Sequence, residues 1–245
     1  MIDFISIEGW KTKKSILVVL AHPDDPEFFC GGTLARWTKA GHDVHYCLIT
    51  NGNKGSDDPN ITPVELATLR EIEQKKAAEI IGVHHIEQLG YDDGMLIADL
   101  QARKDVVRVI RKIKPNILVS CDPTNFFPNE GYINHSDHRT AGQIALDAVF
   151  PASGNRMFFP ELITEENLHP HSVEEVWLSL TSQPDINIDI TDTFEIKIKA
   201  LLEHKSQIGD PDTFERRMRN TRHTKDTTID NPRYEEGFKR FVFQK

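Results

Sequence analysis

A chain of 245 residues, 38% apolar and 27% charged, has the balance of a soluble globular protein long enough to bury a substantial core. Its formal net charge of −9 argues against nucleic acid or an anionic membrane as the main partner, because both reward clustered Lys and Arg. The opening residues lack the uninterrupted apolar core of a signal peptide, and the longest apolar run, 16–21, is far too short to cross a membrane.

Residues 15–21, SILVVLA, are the mark of a strand buried on both faces of a parallel sheet. GGTLARWTKAG (31–41) reads as a short helix ending near Gly41, and 43–50 as the next strand. A polar loop over 51–63 leads into a helix over 63–81, which Gly82 stops. HHIEQLGY (84–91) suggests a strand, DDGML (92–96) a turn, 99–113 a helix, and 116–121 a strand introduced by Pro115. Another loop is followed by a helix over 137–150, a strand over 174–180 and a long helix over 192–207, which Asp192 or Thr193 could cap. This alternation argues a Rossmann-like α/β fold, a three-layer α/β/α sandwich with a mainly parallel sheet. With no internal repeat or clear linker, residues 1–245 are read as one domain. The tail after Gly209 is strongly polar with aromatics near its end, and packing on its own chain or on a neighbouring subunit are both open. Cys30, Cys47 and Cys121 form no CxxC pair and read as reduced thiols, which suits a cytoplasmic protein.

The central strand ends in an unusual way. His22, Asp24, Asp25 and Glu27 crowd into AHPDDPE, more ionisable groups than a turn requires. In open α/β sheets ligands bind at the carboxyl ends of strands, and a second cluster, His135, Asp137 and His138 in NHSDH, follows a later strand end. The two converge if those strands are neighbours. Zinc takes imidazole nitrogen and carboxylate oxygen, and a catalytic site uses three protein ligands plus water; His22, Asp25 and His138 would supply such a set. Helix capping by Asp24 or Asp25, and by His135 or Asp137, is the alternative use of the same residues.

AHPDDPE together with HSDH resembles the LmbE-like (PIG-L) zinc deacetylases, which remove the acetyl group from N-acetylglucosamine-containing substrates. TNGNKG, LREIEQKKAAEIIGV, LGYDDGML and KIKALLEHKSQ extend the resemblance along most of the chain. It implies that His22, Asp25 and His138 hold Zn2+, that Asp24 is the general base, that His135 faces the substrate carbonyl and that Asp137 orients a histidine. A protonated His135 would stabilise the tetrahedral oxyanion. Glu27 is read as structural, near the start of a helix.

Substrate contacts are carried by weaker patterns. Arg70 matches a family arginine that holds the sugar, with a solvated place on its helix as the alternative. Asp92 and Asp93 fall where the family places a carboxylate for sugar hydroxyls, with turn chemistry before Gly94 as the alternative. Asn53 is a further candidate. The pattern departs from some relatives two residues before His135, where Ile133 stands and the tyrosine is Tyr132; Ser136 replaces a frequent proline. Among rivals, a dinucleotide-binding oxidoreductase would need GxGxxG after the first strand, and a metallo-β-lactamase-like hydrolase HxHxDH. A zinc amidase acting on a non-sugar or thiol-conjugate amide and a non-catalytic metal-binding protein stand as the alternatives. The resemblance implies a small-molecule sugar conjugate as partner and a homo-oligomer, hexamers being known among relatives. The membrane-anchored branch is disfavoured by the missing apolar span.

Overall fold

A run as apolar as Ile16 to Ala21 is shielded on both faces only inside a sheet, and the strand it forms, β1 (Ser15–Leu20), lies at the centre of one. The computed structural model describes residues 8–221, 223–228 and 230–244, so the first seven residues of the stretch read for a signal lie outside it. The other strands among the described residues are β2 (Asp43–Thr50), β3 (His85–Tyr91), β4 (Ile117–Cys121), β5 (Glu175–Ser179), β6 (Ile186–Asp189) and β7 (Glu235–Val242). They form one sheet in the order β3-β2-β1-β4-β5-β7-β6. Strands β1 to β5 pair in parallel, and β7 is antiparallel to both of its neighbours.

Helices cover both faces. Ile16, Val18 and Leu20 point into one core with Leu34 and Trp37 of α1 (Asp25–Lys39), Ala77 and Ile81 of α2 (Pro63–Ile81) and Leu201 of α6 (Phe194–Leu201). Leu17, Val19 and Ala21 point the other way, against Val106 and Ile110 of α3 (Leu100–Ile113) and Ile144 of α4 (Ser136–Asp147). Each such buried Val, Leu or Ile contributes about 1.5–3 kcal/mol. Short helices α5 (Glu161–Thr164), α7 (Lys205–Ile208) and α8 (Pro211–Thr221) complete the outer layers. This is the three-layer α/β/α sandwich that the alternation of elements implies.

Two elements differ from their sequence expectation, and the placement of a third, left open by the sequence, is decided. Helix α1 starts at Asp25 rather than Gly31 and is kinked at Cys30 (φ −146°, ψ 15°). The kink frees the amides that begin its second half, and Glu236 of β7 accepts from Gly32 N–H (3.1 Å) and Thr33 N–H (2.8 Å). The long helix over 192–207 is instead a 3₁₀ turn (Thr191–Thr193), α6 and α7, broken at His204. Thr193 spends its hydroxyl on the Gly32 carbonyl (2.7 Å), and neither it nor Asp192 caps by side chain. The tail packs on its own chain: α8 covers one core through Phe214 and Met218, and β7 fills the sheet between β5 and β6.

Glu236 is also ion-paired to Lys197, both fully buried. Removing one member of such a pair costs about 3–5 kcal/mol, whereas replacing both by apolar groups costs less. Glu236→Ala is expected to lose stability in that range by urea denaturation, with Lys197→Met/Glu236→Leu less affected. A single variant that is more stable than the double would contradict this account of the junction.

Candidate active site

The chain leaves β1 for one side of the sheet and β4 for the other, and a crevice opens between their carboxyl ends. The two strands are neighbours, Ile16 opposite Ile117 and Val18 opposite Val119, so the condition for convergence of the two polar segments is met. Gly142 lets α4 approach: a Cβ there would lie 2.3 Å from the Cys121 carbonyl oxygen.

After β1 the chain makes a tight turn, closed by Asp25 N–H donating to the His22 carbonyl (3.3 Å). Asp24 occupies its corner at φ 91°, ψ −30°, a region that costs a non-glycine residue on the order of 1–3 kcal/mol. Asp25 then opens α1 with Pro26 behind it. Its Oδ2 accepts from the His22 backbone N–H (2.8 Å) and lies 3.4 Å from His22 Nδ1. Its Oδ1 lies 3.2 Å from His138 Nε2. His135 is the N-cap of α4, its Nδ1 accepting from Asp137 N–H (3.2 Å). That bond leaves the proton of the neutral ring on Nε2.

The ring nitrogens of His22, His135 and His138 lie within 4.8 Å of one another, and an overlapping group joins His22 and His135 to Asp93 and Asp137. This histidine–carboxylate cluster has the donors to hold a metal ion. Asp137 is buried with Oδ2 accepting from Gly94 N–H (2.7 Å), and the imidazole nearest its carboxylate is His22 (3.4 Å).

The electrostatics follow from burial and proximity. Burial opposes charge on Asp25, but the His138 and His22 imidazoles hold it well below the usual carboxylate range. Burial likewise works against a charged His22, yet Asp25, Asp137 and Asp93 raise it well above the ordinary imidazole value. Asp24 is pushed up to about 6 by burial, with Arg70 opposing. His135 is lowered by burial and by the neighbouring His22 and His138, a direction that favours the neutral ring over the protonated one that the resemblance implies.

The substrate candidates divide. Arg70 is buried under the turn, its guanidinium donating to the carbonyls of Gly52 (2.9 Å) and Pro23 (2.6 Å) and to Asp24 Oδ2 (3.2 Å). Gly52 makes this fit possible, because a Cβ there would meet the guanidinium at 2.4 Å. Asp93 enters the site, 3.1 Å from His22 Nε2. Asp92 faces solvent, bonded to Asn53 Nδ2 (2.9 Å), while Asn53 Oδ1 accepts from Asp93 N–H (3.1 Å). Asn53 therefore shapes the turn that presents Asp93. Glu27 is fully buried behind the turn, in contact with Tyr46, Gln74 and His204.

Two residues escaped the sequence reading. Asn134 Oδ1 accepts from His138 Nδ1 (2.9 Å), directing Nε2 at Asp25, and Asn134 Nδ2 donates to Asn125 O (2.9 Å) in the loop after β4. That loop carries Phe126, Phe127, Tyr132 and Ile133, all exposed, and leads into His135. Gln74 accepts from Asp24 N–H (2.8 Å). Its signal was present: Arg70, Glu73 and Gln74 are polar residues on the buried stripe of α2 with Leu66 and Ala77.

Fold and cluster define an α/β protein with a histidine–carboxylate centre at the carboxyl ends of β1 and β4. The profile of the PIG-L family, the GlcNAc-PI de-N-acetylases, matches residues 17–149. The chain is 38% identical over 206 residues to the diacetylchitobiose deacetylase of Thermococcus kodakarensis, covering 84% of this chain and 74% of that protein. It is 25% identical over 204 residues to a probable N-acetyl-α-D-glucosaminyl L-malate deacetylase of Bacillus anthracis, covering 81% and 84%. The solved structure of N,N'-diacetylchitobiose deacetylase from Pyrococcus horikoshii, bound to an inhibitor, superposes with a TM-score of 0.85 at 31% identity, over 98% of this chain and 88% of that one. The chain belongs to the PIG-L, or LmbE-like, family, and is a hydrolase of the deacetylase class.

Asn134 gives this geometry a direct test. Loss of a partner that orients a ligating histidine weakens metal affinity by about 10–100-fold. Asn134→Ala is expected to show that loss in competition with a chromogenic chelator. Unchanged affinity would mean that His138 is oriented by packing alone.

Proposed function

We propose that the protein, as one domain over residues 1–245, is a zinc-dependent N-deacetylase that hydrolyses the acetamide of an N-acetylglucosamine-containing small molecule. The observation that carries this reading is the placement of Asp25 between His22 and His138, with the carboxylate of Asp24 beside it on the strained turn. His22, Asp25 and His138 would hold the ion. Asp25 is preferred to His135 as the third ligand because it is ionised, buried and in reach of both imidazoles. His135 is half-buried, with Nδ1 engaged by Asp137 N–H. When bound, zinc polarises the amide carbonyl and acidifies a water molecule to a pKa of about 7.

The side chains supply the rest. Asp24 takes the proton from the attacking water and returns it to the departing amine, with Arg70 fixing one carboxylate oxygen. His135 donates from Nε2 to the developing oxyanion as a neutral ring, its Nδ1 occupied by Asp137 N–H. Asp93 offers a buried carboxylate to a sugar hydroxyl, on a turn held by Asn53. The exposed Phe126, Phe127 and Tyr132 give the mouth apolar faces for a ring or aglycone beyond the acetamido sugar. The relatives' substrates, diacetylchitobiose and an N-acetylglucosaminyl malate, support a small sugar conjugate as partner. No helix among the described residues is long and apolar enough to cross a membrane. The buried, free Cys30, Cys47 and Cys121 support a reducing, cytoplasmic setting. The exposed Phe150, Phe241 and Val242 support a homo-oligomer.

Acetate release across a panel of N-acetylglucosaminyl compounds is the test. Activity is expected on at least one of them, to be lost on chelation and regained with zinc. Asp24→Asn is expected to keep about one zinc per chain while lowering kcat by roughly 10²–10⁴-fold. Asp25→Asn should lose the metal and His135→Ala should retain it; the reverse would exchange their roles. Acetyl-lysine cleaved faster than every sugar tested would end the carbohydrate reading.

Arg70 and Asp93 separate positioning from recognition. Because Arg70 is buried under Asp24, Arg70→Lys is expected to lower kcat/KM alike on a sugar substrate and on a minimal acetamide. Asp93→Asn should penalise the sugar selectively, since a site built for hydroxyls discriminates through its paired polar groups. An Arg70 loss confined to the sugar would return that residue to substrate binding.

A further inference from the structure

The turn at Asp24 needs a restraint, because a non-glycine residue at φ 91° relaxes unless its surroundings hold it. Relaxation to an ordinary negative φ would swing the carboxylate away from Asp25. Asp24 caps α1 through no side-chain hydrogen bond; its backbone N–H instead donates to Gln74 Oε1 at 2.8 Å.

The orientation of the Gln74 amide is itself determined. Gln74 is fully buried, and its Nε2 donates to both oxygens of Glu27 (3.2 and 3.1 Å). A carboxylate only accepts, so the amide must turn its NH2 to Glu27 and its oxygen to Asp24. Glu27, also fully buried, receives Tyr46 Oη–H (3.2 Å) and lies 3.2 Å from His204 Nε2. His204 is buried in the break between α6 and α7. Two residues further on, Ser206 donates to Glu73 through N–H (2.9 Å) and hydroxyl (2.7 Å), which ties the break to α2. Stretches of sequence that the proposed chemistry left unused, EQ on α2 and HKSQ at the α6–α7 break, thus meet behind a single peptide group.

We infer that Gln74 is a positioning residue for the acid–base carboxylate: oriented by Glu27 and His204, it holds the Asp24 backbone in the left-handed turn that aims the carboxylate into the site. This rests on the reading of Asp24 as the proton carrier. Arg70 fixes the other end of the same residue, at Oδ2 and at the Pro23 carbonyl, so Asp24 is gripped at backbone and side chain from one face of α2. The chain of contacts also explains why the helix predicted over 192–207 is interrupted. An unbroken helix would not bring His204 to Glu27 and Ser206 to Glu73 in the observed way.

The test is a pair of double-mutant comparisons on the zinc-loaded protein. Gln74→Glu sets a second carboxylate against Glu27 and is expected to lower kcat at least 10-fold, with KM and zinc per chain unchanged. The reciprocal swap, Gln74→Glu/Glu27→Gln, restores one amide–carboxylate pair with an oxygen still available to Asp24 N–H. It should return kcat to within about 3-fold of the parent. In an Asp24→Asn background Gln74→Glu should have no further effect on kcat, because its action runs through that carboxylate. If Gln74→Glu does not fold, Gln74→Met, similar in shape but unable to accept from Asp24, takes its place in the Asp24→Asn comparison. A further loss of kcat in that background, or a swap that restores Tm without kcat, would reduce Gln74 to a structural role. Normal turnover by Asp24→Asn alone would instead remove the general-base assignment, and the inference with it.

Discussion

Five carboxylates, those of Asp24, Asp25, Glu27, Asp93 and Asp137, are buried around the end of one strand, and such a concentration of acid survives only if every one of them is answered. The answers come from all sides. Imidazoles of His22 and His138 flank Asp25, the Arg70 guanidinium reaches Asp24, and Gln74, Tyr46 and His204 converge on Glu27. They come from several elements, so satisfying this cluster fixes how α1, α2, α4 and the α6–α7 break dock onto the sheet. Stability and chemistry share one arrangement here. The Glu27 side is closed and serves the fold, while the Asp25 side faces the crevice.

The parts of this arrangement that were legible in the sequence are those in which composition contradicts local need. AHPDDPE stands out because a turn does not require a histidine and three acids, and NHSDH because it repeats that excess beyond another strand. The neighbouring of β1 and β4 was only permitted by chain order, since parallel strands are joined by crossovers whose destination is set by packing. Arg70 shows the limit of pattern matching. Its residue type suits a sugar, but its depth is a property of the whole α2 stripe and of Gly52, which no local window contains. The break at His204 was invisible for the same reason, because residues 192–207 have the periodicity of a helix and yield to buried hydrogen bonds with partners far away in sequence. The edge of the sheet was least legible. β6, INID, alternates over only four residues, and β7, EEGFKRFV, carries charge at half of its positions, so neither has the longer alternating run that announces a strand.

The mouth of the crevice is organised differently from its floor. Below, polar groups from α1, α2 and α4 interlock at short range. Above, the loop after β4 displays aromatic side chains from a base pinned by Asn125 and Asn134. Asn134 belongs to both layers, since it anchors that loop and orients His138. A change in loop sequence between those two asparagines can therefore alter the loop's surface while the polar floor stays in place.

The insertion of β7 between β5 and β6 has a consequence for biogenesis. The residues of the histidine–carboxylate cluster precede β5 in the chain, yet the sheet stays split until Glu235–Val242 has been synthesised. Until then β5 and β6 expose unpaired edges, and the second half of α1 lacks the carboxylate of Glu236. A nascent chain stalled or cut before that point holds every residue of the metal cluster but cannot close the layer beneath it. Such fragments expose the unpaired strand edges that chaperones engage.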